Sequence, residues 1–85
     1  MAVYNVLIKK SAAKELDAIP RKDREKLIAK IRGLANNLRP EGSEKLAGDD
    51  KYRIRRGAYR VLYEVNDATV VVTVVRVAQR REFYR

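Results

Sequence analysis

Residues 52–63, Tyr-Arg-Ile-Arg-Arg-Gly-Ala-Tyr-Arg-Val-Leu-Tyr, constrain the fold more tightly than any other stretch of this chain. Side chains along a strand alternate between two faces, so Tyr52 and Ile54 point one way while Arg53 and Arg55 point the other. Gly57 supplies the positive φ that a two-residue hairpin turn requires. With Arg56 and Gly57 as that turn, Arg55 faces Ala58, Ile54 faces Tyr59 and Arg53 faces Arg60. Tyr52, Ile54, Tyr59, Val61 and Tyr63 then share one face, fit for a core, and Arg53, Arg55 and Arg60 share the other. Like charges set opposite one another in a sheet repel, so a fold that gathers three guanidiniums is expected to bring an anion to them.

The rest of the chain supplies the support. Residues 2–9 alternate as a strand, with Tyr4, Val6 and Ile8 on one face and Val3, Asn5 and Leu7 on the other, and apolar groups on both faces predict an interior or well-covered position. Ser11 is a candidate N-cap for a short helix through Leu16 to Ile19, with Glu15 in its first turn and Pro20 at its end. From Arg21 to Leu38, Leu27, Ile31, Leu34 and Leu38 recur at helical spacing, widened by Ile28 and Ala35. The other face of that helix is charged and reads as solvated surface. Residues 36–43, rich in Asn, Pro and Gly, read as a loop that continues through residues 45–50 to the hairpin. Asn66-Asp67 signals a second turn, which with two residues sets Tyr63 opposite Val70 and Arg60 opposite Thr73. Residues 69–77 are so rich in valine and threonine that a long central strand is expected. The charged tail from Gln79 onward suits a turn or short helix.

The predicted fold is α+β in the order β-α-α-β-β-β, one domain over residues 1–85: an antiparallel sheet, a helical hairpin packed on one face, and the other face open and basic. Helices need an apolar sheet face to cover their own, so the arginines are expected opposite them.

Charge sharpens this reading. Of the formal +9, residues 1–50 carry 11 basic and 8 acidic side chains, whereas residues 51–85 carry 9 and 3, eight of those nine being arginine. The planar fork of arginine suits bidentate contact with phosphate or carboxylate, so the second half is built to meet something anionic. With no cysteine and no histidine, disulfides, most zinc sites, Ser-His-Asp and Cys-His nucleophile systems and histidine-pair ribonuclease chemistry are excluded. Any catalysis must use Arg, Lys, Tyr or carboxylates. No metal site and no cofactor is expected. The N-terminal apolar run is too short and polar for a signal peptide or membrane span, and a cytoplasmic protein is expected. From residue types alone, the arginine face serves equally to bind RNA or an acidic protein without cutting, and Tyr84 more often packs, a balance that its spacing of four residues from Arg80 makes even.

Lys45-Leu46 followed by Tyr52-Arg-Ile-Arg, the strand from Gly57 to Tyr63, the valine-rich strand and the terminal Arg80-Arg-Glu-Phe-Tyr-Arg85 together resemble the RelE/ParE superfamily of toxin-antitoxin systems, over essentially the whole chain. The resemblance implies a toxin of the RelE branch, a ribosome-dependent endonuclease that cuts A-site mRNA and is neutralised by a RelB-like antitoxin wrapped over it. It implies active-site roles for Arg53, Arg55, Arg60, Arg80 and Tyr84, with Lys51, Arg56, Arg81 and Arg85 as flanking RNA contacts. Two positions depart from the branch: Arg53 and Arg55 stand where lysines are common, and Gln79 stands where many relatives carry histidine. Arginine stays protonated, so Tyr84, acidified by the surrounding arginines, is the base the resemblance leaves. Operator DNA would be bound only through the antitoxin, since nothing here reads as a recognition helix. Two alternatives stay open: a ParE-like inhibitor of DNA gyrase, and a non-catalytic relative whose basic face only holds RNA or antitoxin.

Overall fold

A computed structural model describes residues 3–46 and 50–79. Their order is β1 (Asn5–Ile8), α1 (Lys10–Asp17), α2 (Arg21–Gly33), β2 (Ser43–Lys45), β3 (Lys51–Arg56), β4 (Tyr59–Asn66) and β5 (Val71–Gln79). The strands form one sheet in the order β1-β5-β4-β3-β2. Both helices pack on a single face of it, as an α+β fold with a helical hairpin requires. No helix among the described residues is long and apolar enough to cross a membrane.

The sheet is mixed, not antiparallel: β1 runs parallel to β5, and every other pairing is antiparallel. Alternation of apolar residues carries no information about strand direction, so the sequence could not reveal this. Nor is β1 interior. It is an edge strand, with Val3, Leu7 and Ile8 exposed while Tyr4 and Val6 pack against the core. β2 adds a strand inside the expected loop, paired with residues 52–54 of β3.

The helix ends also differ. Lys9, not Ser11, is the N-cap of α1, because its N–H still donates to Val74 O at 2.9 Å and strand passes directly into helix. Pro20 is the N-cap of α2, which stops at Gly33, well before Leu38. Leu38 nevertheless reaches the core from the loop that follows. Ala12, Leu16 and Ile19 from the first helical segment and Leu27, Ile31 and Leu34 from the second are buried against Tyr52, Ile54, Tyr59, Val61, Tyr63, Val65, Val72, Val74 and Val77 of the sheet.

The hairpin keeps its expected faces in a different register. Gly57 and Ala58 form the turn, so Arg56 pairs with Tyr59, Arg55 with Arg60, Ile54 with Val61 and Tyr52 with Tyr63. Gly57 has φ 60° and is the first central residue, the position that type II′ turns reserve for glycine. The slip is two residues, and a strand's period is two, so no side chain changes face. Between β4 and β5 the turn takes four residues, 67–70, instead of two. Asn66 Oδ1 accepts the Thr69 N–H at 3.1 Å, and Val70 adopts φ 57°. A bulge after Leu62 completes the shift, leaving Tyr63 opposite Val74 and Arg60 opposite Ala78.

Three tyrosines fasten the loops to this frame. Tyr63, fully buried, donates to Leu38 O at 2.6 Å and stacks on Tyr52 with ring centroids 5.5 Å apart. The Tyr52 hydroxyl accepts from Arg39 Nη2 at 2.8 Å, and Tyr4 donates to Asp67 Oδ1 at 2.6 Å. Burial is the main cause that pushes the Tyr63 phenol above its ordinary range. Because the folded state disfavours the phenolate, stability from this group is complete below the unfolded tyrosine pKa and is lost as pH rises above about 10. Tyr63→Phe strands the Leu38 carbonyl and is expected to cost about 1 kcal/mol at neutral pH. Urea unfolding should also show that the variant loses less stability than the wild type between neutral pH and the alkaline range.

Candidate functional site

The sheet face opposite the helices carries the cations, for the reason the alternation gives: Tyr52 and Ile54 must enter the core, so Arg53 and Arg55 cannot. Register then decides their neighbours. Arg55 lies directly opposite Arg60, and Arg53 lies between Glu44 on β2 and Leu62 on β4. Glu44 bridges the pair. Its Oε2 accepts from Arg53 Nη2 at 2.6 Å, and its Oε1 lies 3.6 Å from Arg55 Nη2. The hydrogen bond from Arg53 and that residue's charge hold the Glu44 carboxyl below the usual carboxylate range, with smaller contributions from the charges of Arg55 and Arg60. One carboxylate and three guanidiniums thus form a single electrostatic cluster.

The three arginines are presented differently. Arg55 is open, with a side chain 53% exposed, Arg53 is 22% exposed, and Arg60 is almost completely buried at 1%. Arg60 was expected in an open row. It lies on the expected face but is enclosed there, opposite Ala78 of β5. A buried charge is tolerated only with compensation. Arg53 Nε is also buried and has no hydrogen-bond partner among the described residues.

The flanking cations do not all join this cluster. Lys51 shares the face but sits at the far end of β3, 3.9 Å from Glu64. Arg56 has the parity of Tyr52 and Ile54, and lines a shallow depression on the helix side with Asp23, Lys26, Gly57 and Tyr59. Arg80, Arg81, Tyr84 and Arg85 lie outside the described residues. The last residues of β5 that are described place Ala78 opposite Arg60 and Gln79 opposite Tyr59.

Sequence reading missed Glu44 because Ser43-Glu-Lys45 is too short to show alternation and follows Pro40 and Gly42. The only signal was electrostatic: three like charges on adjacent strands required an anion, and the chain supplies one of its own.

Residues 6–84 match the family model described as ParE toxin of type II toxin-antitoxin system, parDE. No curated protein matches. Among solved structures, the archaeal RelE-RelB complex from Pyrococcus horikoshii OT3 contains a chain 31% identical, with a TM-score of 0.83, covering 92% of this chain and 96% of that one. A double arginine-to-alanine mutant of the E. coli toxin RelE, in the free state, is 32% identical with a TM-score of 0.80, covering 96% of this chain and 87% of that one. A chain of the intact E. coli RelBE toxin-antitoxin complex is 33% identical with a TM-score of 0.78, covering 89% of this chain and 95% of that one. The family match spans nearly the whole chain and the structural matches share its strand and helix arrangement, so this protein belongs to the ParE toxin family of type II toxin-antitoxin systems, within the RelE/ParE superfamily.

Proposed function

We propose that this toxin is a RelE-type endoribonuclease that enters the ribosomal A site, cuts mRNA without a metal, and so stops translation. The observation that carries the reading is the cluster of Arg53, Arg55 and Arg60 around one carboxylate on the face the helices leave open. RNA supplies its own nucleophile, the 2′-hydroxyl beside the scissile phosphate. The protein has to align the groups and stabilise the charge that builds on the phosphorane. Arg53 and Arg55 exchange the Glu44 carboxylate for phosphate oxygens, and Arg60 adds its charge from beneath. The 2′ oxygen bonds to phosphorus while the bond to the 5′ oxygen breaks. Tyr84 as the phenolate takes the 2′ proton, and Arg80 stabilises the departing 5′ oxygen, which takes a proton from water. The products are a 2′,3′-cyclic phosphate and a free 5′-hydroxyl. The toxin acts in the cytoplasm, where ribosomes are, with Lys51, Arg56, Arg81 and Arg85 as further RNA contacts.

The neutralising partner is a RelB-like antitoxin. Structural relatives described as complexes of RelE with RelB, and of an E. coli RelE mutant with a RelB peptide, support this partner. An acidic or amphipathic segment of it covers Arg53 to Arg60 or displaces the C-terminal residues, and operator DNA is reached through the antitoxin. The matched family model, named for ParE, favours one second reading, inhibition of DNA gyrase. The two part cleanly: gyrase inhibition leaves translation running while DNA damage accumulates.

In a cell-free translation system with mapped mRNA ends, the wild type is expected to arrest synthesis and leave cuts within codons. Arg53→Ala and Arg80→Ala should each lower the cleavage rate by about 10²-fold or more, the scale for removing one preorganised donor to a developing oxyanion. Full cleavage by Tyr84→Phe would refute the tyrosine as base, and an intact message with continued translation would refute the nuclease. Binding of antitoxin, followed by calorimetry, should weaken as salt rises from about 0.05 to 0.5 M, because opposite charges on exposed surfaces are screened. A salt-independent affinity would place the antitoxin elsewhere.

A further inference from the structure

β1 pairs with β5 only as far as Ile8 opposite Val74. Beyond that point no strand among the described residues lies along the outer edge of β5, although β5 itself continues to Gln79. Backbone donors on such an edge need a partner. Glu15 of α1 provides it. Its Oε1 accepts the backbone N–H of Val77 at 3.0 Å, and its Oε2 lies 3.5 Å from Arg76 Nε.

The β-bulge falls at the same level. Leu62 pairs with Arg76 and Tyr63 with Val74, which leaves Val75 as the extra residue of β5. A bulge bends its strand and re-aims the side chains beyond it. Within four residues, then, the neighbouring strand ends, β5 takes up its extra residue, and a helical carboxylate grips the backbone just past it. The end of β5 lies immediately beyond that grip: Val77 returns to the core opposite Val61, Ala78 lies opposite Arg60, and Gln79 leads in sequence to Arg80.

We infer that Glu15 is a positioning residue whose carboxylate stands in for a strand along the outer edge of β5 and fixes Val77, Ala78 and Gln79 in place beside Arg60. It touches no substrate. Its consequence for cleavage rests on the nuclease reading above, while its effect on the backbone does not.

The test uses the full chain carrying Glu15→Ala or Glu15→Gln, with two measurements on each. Amide hydrogen exchange reports the backbone, and single-turnover cleavage on message-bearing ribosomes reports its use. Glu15→Ala should speed exchange at Val77 by about tenfold or more, the loss of one charge-assisted hydrogen bond, and leave Val72 and Val74 protected. Its cleavage rate should fall on the order of 10²-fold, the scale of a small misplacement of reacting groups, with KM for the ribosome unchanged. Glu15→Gln keeps an oxygen acceptor and should recover most of both. Unchanged exchange at Val77 overturns the inference. So does slower cleavage accompanied by an even loss of protection across Val72, Val74 and Val77, which marks general destabilisation, and so does wild-type cleavage by a variant whose Val77 amide has been freed. Should the wild type fail to cut message at all, the nuclease reading falls by itself. The exchange pattern then decides the positioning role alone: loss confined to the end of β5 upholds it, and no local loss overturns it.

Discussion

Alternation along β3, β4 and β5 is the constraint on which the rest of the molecule depends. Ile54, Val61, Tyr63, Val72, Val74 and Val77 are all essentially inaccessible to water beneath the helices. Each apolar side chain of that size contributes about 1.5–3 kcal/mol when it leaves water, far more than any single exposed ion pair. The dry face therefore decides which side each residue takes, and the residues between these positions have no choice. Arg53, Arg55 and Arg60 are brought together by what their neighbours bury, not by attraction for one another.

That arrangement creates an electrostatic problem which the edge strand partly relieves. Placing Arg55 opposite Arg60 is repulsive. Glu44 offsets it from β2, a strand only three residues long whose central residue is this carboxylate. The arrangement is also reversible in a useful way. A carboxylate half open to solvent holds the guanidiniums in place, and on the proposed reading it gives way to a phosphate without uncovering a buried charge. Arg60 lies enclosed on the adjacent strand, directly opposite Arg55.

Period-two reasoning on the hairpin recovered every face correctly and the register incorrectly, and the two outcomes have one cause. Burial fixes parity, while the turn fixes the pairing, and moving the turn from Arg56-Gly57 to Gly57-Ala58 changes the pairing by an even step. The bulge at Val75 and the left-handed Val70 are different in kind, since a valine run carries no local mark of either. Strand direction at β1, the short β2 and the contact of Glu15 with Val77 are all set by partners distant in sequence. Of the candidate site, the arginine cluster was readable from spacing. The enclosure of Arg60, the bridging Glu44 and the placement of Arg56 on the helix side needed the three-dimensional arrangement.

The shortness of β1 bears on how this chain behaves when crowded with its own copies. Val71–Gln79 contains a run of β-branched residues of the type that stacks into cross-β assemblies when its backbone is bare. Here it lies one place in from the sheet margin, covered among the described residues by four residues of β1 and, beyond them, by a helix and its Glu15 side chain. Fraying of the N-terminal strand would uncover that margin at once. A segment far from the arginine cluster thus guards the molecule against pairing with its own copies.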